Sequence, residues 1–202
     1  MRKVTAWEAR AASNPNHSQW YVERFRRMAA EGADLAGEAR MIDALVPRAA
    51  RVLDAGCGPG RVGGELAARG HTVVGVDVDP VLIAAAREDH PSADWRVGDL
   101  AELDLPAEGV TERFDVVVCA GNVVTFLAEG TEVAVLERMG AHLRADGRVV
   151  VGFGAGRGYP FESFFGDVAT AGLVTDHVFS TWDLRPFTPQ SDFVVAVLSR
   201  RE

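Results

Sequence analysis

Three aspartates and a run of alternate glycines are the residues of this chain best placed to do chemistry. The stretch Arg51-Val-Leu-Asp-Ala-Gly-Cys-Gly-Pro-Gly-Arg61 reads as a short apolar strand ending on Asp54, then a tight loop with Gly56, Gly58 and Gly60 at every second position. Glycine reaches positive φ without penalty and lets a ligand approach bare backbone. Residues 62–69 can continue as a helix. Strand, loop and helix N-terminus then bring backbone N–H groups and a positive dipole end to one point. That is a nucleotide-type pocket, and the acid ahead of the glycines narrows the ligand. A second acid, Asp77, ends the apolar run Val73-Val-Gly-Val about 20 residues beyond the loop, where a carboxylate can accept both hydroxyls of a ribose. A third, Asp99, closes Trp95-Arg-Val-Gly before Leu100.

The pattern Asp54-x-Gly56-x-Gly58-x-Gly60 resembles the first motif of the class I S-adenosylmethionine (SAM) methyltransferases. Four more stretches resemble that family in the right order. Val73-Val-Gly-Val-Asp77 is similar to the second strand with its ribose acid, and Trp95-Arg-Val-Gly-Asp99-Leu100 to the adenine-binding turn. Phe114-Asp-Val-Val-Val-Cys-Ala-Gly-Asn122 is similar to strand four and the active-site loop. Leu143-Arg-Ala-Asp-Gly147-Arg-Val-Val-Val-Gly-Phe153 is similar to the helix exit and strand five. The resemblance covers about residues 35–200.

That resemblance implies SAM as cofactor and S-adenosylhomocysteine as product. It implies Asp54 at the α-ammonium group, directly or through water, with Gly56, Cys57, Gly58 and Gly60 along the methionine part and the ribose. Asp77 would hold the ribose, Val78 the adenine face, and Asp99 the adenine amino group beside the Leu100 amide. Asn122, with the Ala120 and Gly121 backbone, would lie near the sulfonium. Each residue also has a plainer reading. Asp54 suits a helix cap or loop anchor, Asp99 a turn, and Asn122 a cap. Asp79 followed by Pro80 suits an N-cap with proline at N1, which leaves Asp77 for the ribose.

A general base is needed only where the acceptor must lose a proton. The candidates are His17, Tyr21, His142 and His177. The first two belong to an N-terminal segment that the resemblance places over the cofactor; His142 is expected at the surface and His177 in packing. The glycine-rich Gly152-Phe-Gly-Ala-Gly-Arg-Gly-Tyr159 follows strand five. It reads as a loop lining the acceptor, with Arg157 and Tyr159 as contacts, or as an ordinary connection. Cys57 and Cys119 have no CxxC spacing, so neither a disulfide scaffold nor a metal site is expected, and nothing beside Cys57 makes it a nucleophile.

Rivals differ in one clear respect each. Gly58-Pro-Gly-Arg-Val-Gly63 satisfies the dinucleotide pattern GxGxxG, the mark of an NAD(P)-dependent oxidoreductase. That fingerprint starts at the strand end, whereas Asp54-Ala-Gly-Cys intervenes here, and Pro59 sits within the turn. A non-catalytic SAM-binding partner or sensor would keep the same three aspartates. The Asn/Asp-Pro-Pro-aromatic motif of adenine and cytosine-N4 enzymes is replaced by Gly121-Asn-Val-Val124. The net charge of -8, from 29 acids and 21 bases, argues against nucleic acid or an anionic membrane as partner. A small-molecule acceptor is expected, and the oligomeric state is left open. No apolar run approaches about 18 residues and the N-terminus lacks a signal peptide's apolar core, so a cytoplasmic protein is expected.

Positioning these residues requires alternating strands and helices. Strands are predicted near 51–54, 72–76, 94–97, 114–119 and 147–153, and helices near 18–30, 34–45, 61–69, 80–88, 131–143 and 161–171. Residues 1–17 read as irregular, because Ala-Ser-Asn-Pro-Asn-His is turn chemistry. The runs 173–184 and 192–199 are joined too briefly for a crossover helix, so they are predicted antiparallel. The result is a single-domain α/β, Rossmann-like methyltransferase fold. Its seven-stranded sheet is mostly parallel with an antiparallel closing pair, and helices cover both faces. Residues 1–34 are expected to form a helical segment able to act as a lid, and residues 35–202 the methyltransferase domain.

Overall fold

The computed structural model of the chain describes residues 2–201. One sheet holds β1 (Arg51–Ala55), β2 (Thr72–Asp77), β3 (Asp94–Val97), β4 (Phe114–Cys119), β5 (Leu143–Gly154), β6 (Leu173–Phe179) and β7 (Phe193–Arg200). Their order is β3-β2-β1-β4-β5-β7-β6. Strands β1 to β5 pair in parallel, while β7 runs antiparallel to both β5 and β6. The strand order reverses between β1 and β4, the switch point at which open α/β sheets bind ligands beyond the strand ends.

The helices are α1 (Ala6–Ser13), α2 (His17–Ala30), α3 (Gly37–Leu45), α4 (Arg61–Ala68), α5 (Pro80–Asp89), α6 (Glu132–Ala141) and α7 (Phe161–Thr170). Two elements differ from expectation. Helix α1 lies within the segment read as irregular. Its cause is a capping box: Thr5 Oγ1 accepts from the Glu8 amide (3.1 Å), and the Glu8 carboxylate accepts from the Thr5 amide (2.9 Å). The expected turn chemistry survives only as the Asn14-Pro15-Asn16 break between α1 and α2. Strand β5 begins at Leu143, not at 147, because Leu143 already pairs with Phe114 before a bulge resets the register to Val116 against Arg148.

Alternation along the strands sends side chains to two cores. Val52, Val116, Val118, Val150 and Val197 meet Met41 and Ile42 of α3 and Val62 and Leu66 of α4. Leu53, Val117, Val149, Val151 and Phe153 meet Leu136 and Met139 of α6 and Phe164 and Val168 of α7. Burial on both faces explains the unbroken apolar runs of β4 and β5. Each large side chain so buried contributes about 1.5–3 kcal/mol. The N-terminal helices attach elsewhere. Val22 of α2 packs on Leu82 and Ala85 of α5, with Trp7 and Tyr21 beside them, and Arg26 forks onto Asp89 (2.8–2.9 Å) and Glu88 (2.8 Å). No described helix is long and apolar enough to cross a membrane.

Gly75, in the middle of β2, makes room for the Trp95 indole: a Cβ there would stand 2.2 Å from Trp95 Cε3. Trp95 is itself fixed by its Nε1–H donating to the His90 carbonyl (2.8 Å). Gly75→Ala is therefore expected to lower unfolding free energy by about 1–3 kcal/mol through overpacking. Urea denaturation followed by circular dichroism measures it. An unchanged midpoint would mean that the indole moves aside without cost.

Candidate active site

A cavity of about 580 Å³ opens at the carboxyl ends of β1, β2 and β4, under the N-terminal helices. Its walls include Asp54, Gly56, Cys57, Gly58, Asp77, Val78, Asp99, Leu100 and Asn122, which the sequence had scattered over about seventy positions. Gly60 stands one step behind the wall, as the left-handed N-cap of α4 (φ 82°), packed against Trp95 and His90.

Positive φ at Gly56 (79°), Gly58 (54°) and Gly60 (82°) shapes the loop. At Gly56 a side chain is also excluded by space, since a Cβ would come within 2.4 Å of Val123. Two carboxylates, Asp54 buried and Asp77 half-buried, hold this loop from below. Asp54 Oδ2 accepts from the Gly63 amide in the first turn of α4 (2.8 Å). Its other oxygen has no hydrogen-bond partner among the described residues, and the side chain borders the cavity. Asp77 Oδ2 accepts from the Gly58 amide and Oδ1 from the Asp79 amide, both at 2.9 Å. Asp79 caps α5 through the Val81 amide (2.8 Å), with Pro80 at N1 as expected, and also accepts from Trp7 Nε1 (2.7 Å) and Ser18 Oγ.

Asp99 Oδ1 caps the short 3-10 turn Leu100–Glu102 through the Ala101 amide (2.9 Å), and Oδ2 pairs with the Arg2 guanidinium (2.8 Å). Asn122 is left-handed (φ 68°), and its Oδ1 accepts from the Gly154 amide (2.8 Å), tying the loop after β4 to the end of β5. Of the two contacts expected from the glycine-rich stretch after β5, Arg157 reaches the cavity wall. Tyr159 does not: it is buried against Phe153 and its hydroxyl donates to Asp167 (2.7 Å), so it belongs to the core.

The four candidate bases separate cleanly. His17 and Tyr21 border the cavity. His142 is buried, not superficial. Its Nε2 accepts from the Leu105 amide (3.1 Å) and its Nδ1 donates to the Arg138 carbonyl (2.7 Å), which fixes a neutral tautomer far from the cavity wall. His177 is exposed on β6, beside Phe179. Tyr21 covers the loop, 3.8 Å from where a Gly58 Cβ would be, and burial raises its phenol further from the range of a base. His17 Nε2 is buried with no hydrogen-bond partner among the described residues, its ring lying 5.0 Å from Trp7 and 5.8 Å from Trp20. Burial pushes the Cys57 thiol well above its ordinary value, so it stays a packing group against Ile83, Ala86 and Trp95. No described group of three His, Cys, Asp or Glu side chains could hold a metal ion.

Sequence reasoning missed Trp7, Arg10, Phe126 and Trp182 in the same wall. The Thr5-x-x-Glu8 pattern would have marked the helix that carries Trp7 and Arg10. Trp182 has no local signal. It fits because Gly152 leaves the space, a Cβ there falling 2.3 Å from its ring.

The fold has counterparts among solved structures. A TehB-like SAM-dependent methyltransferase from Corynebacterium glutamicum is 48% identical, covers 93% of this chain and 100% of its own, and superposes with a TM-score of 0.87. The chain belongs to the SAM-dependent methyltransferase family. The profile of the methyltransferase domain matches residues 52–147, from β1 to the turn of β5. Two curated relatives act on different atoms. The dTDP-3-amino-3,6-dideoxy-alpha-D-glucopyranose N,N-dimethyltransferase of Streptomyces fradiae is 36% identical over 60% of this chain and 48% of its own length. The magnesium-protoporphyrin O-methyltransferase of Rhodobacter capsulatus is 36% identical over 53% of this chain and 48% of its own. The chain thus matches about half the length of these curated relatives. Family membership sets aside the dinucleotide reading of Gly58–Gly63. The residues present fit SAM, the family's cofactor: a cradle of side-chain-free backbone, an unpartnered carboxylate oxygen at Asp54 and a second carboxylate at Asp77 suit a ligand with cationic and diol groups.

Burial holds the Asp54 carboxyl at about 7 and the Asp77 carboxyl at about 6, above the ordinary carboxylate range. A cationic ligand engages their ionised forms. Affinity for S-adenosylhomocysteine, which keeps the ammonium group, is expected to fall as pH drops from about 8 to 5, with protons released on binding near 6–7. Stability of the ligand-free fold runs the other way. Both folded values exceed the unfolded ones, so these two groups favour folding most below about pH 4, and that contribution is lost as pH rises through 6–7. Calorimetry in buffers of different ionisation enthalpy reads the proton release, and Asp54→Asn should remove the step near 7. Affinity that stays flat from pH 8 to 5 would show that neither carboxylate faces the ligand's charge.

Proposed function

We propose that the protein transfers a methyl group from SAM to a small-molecule acceptor bound beneath helices α1 and α2. One observation carries this reading: His17, whose Nε2 is buried and unpartnered among the described residues, and the glycine loop with its two carboxylates border one cavity. SAM supplies an electrophilic methyl group when bound. The chain then has to orient the two partners and exclude water, and orientation alone contributes up to about 7–11 kcal/mol of barrier reduction.

In this reading Asp54 holds the ammonium group, the Gly56–Gly60 loop lies along the methionine part and ribose, and Asp77 accepts from the ribose diol. Val78 and Leu100 pack on the adenine, whose amino group meets Asp99. Arg2 shares Asp99 and thereby ties the N-terminal segment to the adenine end. Asn122 holds the loop beside the sulfonium. His17 takes the acceptor's proton, since an orphaned buried nitrogen costs stability unless a ligand satisfies it. Residues 1–34 act as the lid. Its attachments support that role: Trp7 and Ser18 on Asp79, and the Lys3 ammonium on the Glu129 carbonyl (2.8 Å). A net charge of -8 supports a small-molecule acceptor over a nucleic acid.

Calorimetric titration with S-adenosylhomocysteine, with NADH in parallel, tests the cofactor. Micromolar binding of the first alone is expected, and binding of NADH alone would overturn the proposal. Once an acceptor is in hand, His17→Gln is expected to lower kcat by about 100-fold or more while S-adenosylhomocysteine affinity stays within about twofold. Unchanged kcat would remove His17 from the proton path.

A further inference from the structure

We infer that the acceptor is a small planar molecule carrying an anionic oxygen group, carboxylate or phosphate, held by Arg10, Arg24 and Arg157. This deepens the methyl-transfer reading and rests on it. All three arginines border the cavity and are solvent-exposed, and among the described residues none is in an ion pair or donates a side-chain hydrogen bond. That sets them apart from Arg2, Arg26, Arg40, Arg61, Arg69 and Arg96, each neutralised by one or two carboxylates.

Two of the three guanidinium groups, those of Arg10 and Arg24, lie against rings, not acids. The Arg10 guanidinium lies 5.2 Å from the Phe126 ring centroid. That of Arg24 lies 5.9 Å from Trp20 and 5.6 Å from Phe25. Stacking leaves the in-plane N–H fork free for a carboxylate or phosphate. Arg157 adjoins the loop after β4: its Nε would be 3.3 Å from a Cβ on Gly154, the residue whose amide Asn122 holds. The cavity's acids do not cancel these charges. Glu38 is engaged by Arg61 and Asp99 by Arg2, while Asp54 and Asp77 sit at the glycine loop. On a chain of net charge -8, three free cations around one opening focus anions there.

The rings speak for a planar body. Trp7, Trp20, Phe126, Trp182 and Phe193 all border the cavity. Trp20 keeps 51% of its surface exposed although it is part of that wall, as expected for a face that a ligand covers. The cavity, once a molecule as large as SAM is accommodated, leaves room for a small acceptor only.

The test is calorimetry on S-adenosylhomocysteine-loaded protein with three probes: 4-hydroxybenzoate, phenyl phosphate, and the neutral, near-isosteric 4-hydroxybenzamide. At least one anion is expected to bind about tenfold tighter than the amide, and the tighter of the two identifies the oxygen group. Arg157→Gln and Arg24→Gln should each weaken that anion about fivefold or more without moving amide or S-adenosylhomocysteine affinity. The inference is overturned if the amide matches both anions, if neither anion binds, or if both Gln variants keep the full preference. Absence of S-adenosylhomocysteine binding at the outset would fall instead on the methyl-transfer reading, and titrating the anions into ligand-free protein would still report on the arginines.

Discussion

The Asp77 carboxylate is the contact on which the rest of this site depends. One oxygen takes the Gly58 amide and the other the Asp79 amide, so the end of β2 fixes the glycine loop on one side and the start of α5 on the other. Asp79 passes the constraint outward, capping α5 and accepting from Trp7 and Ser18 of the N-terminal helices. Glycine loop, adjoining helix and N-terminal helices are thereby connected through two neighbouring acids. A carboxylate suits the task because it is acceptor-only and can serve several N–H donors at once.

Such an arrangement costs stability. Burial opposes the charge on Asp54 and Asp77, and their few backbone hydrogen bonds offset only part of that penalty. The penalty falls where a cationic ligand would relieve it, which is how strain at a binding site is commonly placed. The N-terminal helices carry a similar tension. The Nε2 of His17 is buried without a partner among the described residues, and the ring lies 5.0 Å from Trp7 and 5.8 Å from Trp20.

Much of the fold was legible because its elements follow local rules. Apolar runs with β-branched residues marked the strands, Asp79-Pro80 marked a helix start, and the missing crossover between the last two strands dictated an antiparallel pair. The failures were also local in cause. Turn residues around Asn14 masked α1, whose capping box spans the preceding residues. His142 looked superficial because helix position alone does not say which face meets the 3-10 turns after β3; its two hydrogen bonds place it inside. Tyr159 looked like a lining residue because it follows a glycine loop, yet its ring completes the aromatic cluster around Phe153.

The sequence by itself determined the alternating α/β order, the glycine loop and the three aspartates, since strand burial, glycine's positive φ and a carboxylate at a strand end are written in short stretches of chain. Only the tertiary structure decided which residues share the cavity. It brought Arg10, His17 and Trp182 to one wall across more than half the sequence, and it gave Asp54 one backbone partner and Asp77 two. Side-chain environment depends on what distant segments leave open, as Gly152 does for Trp182, and no local pattern encodes that space.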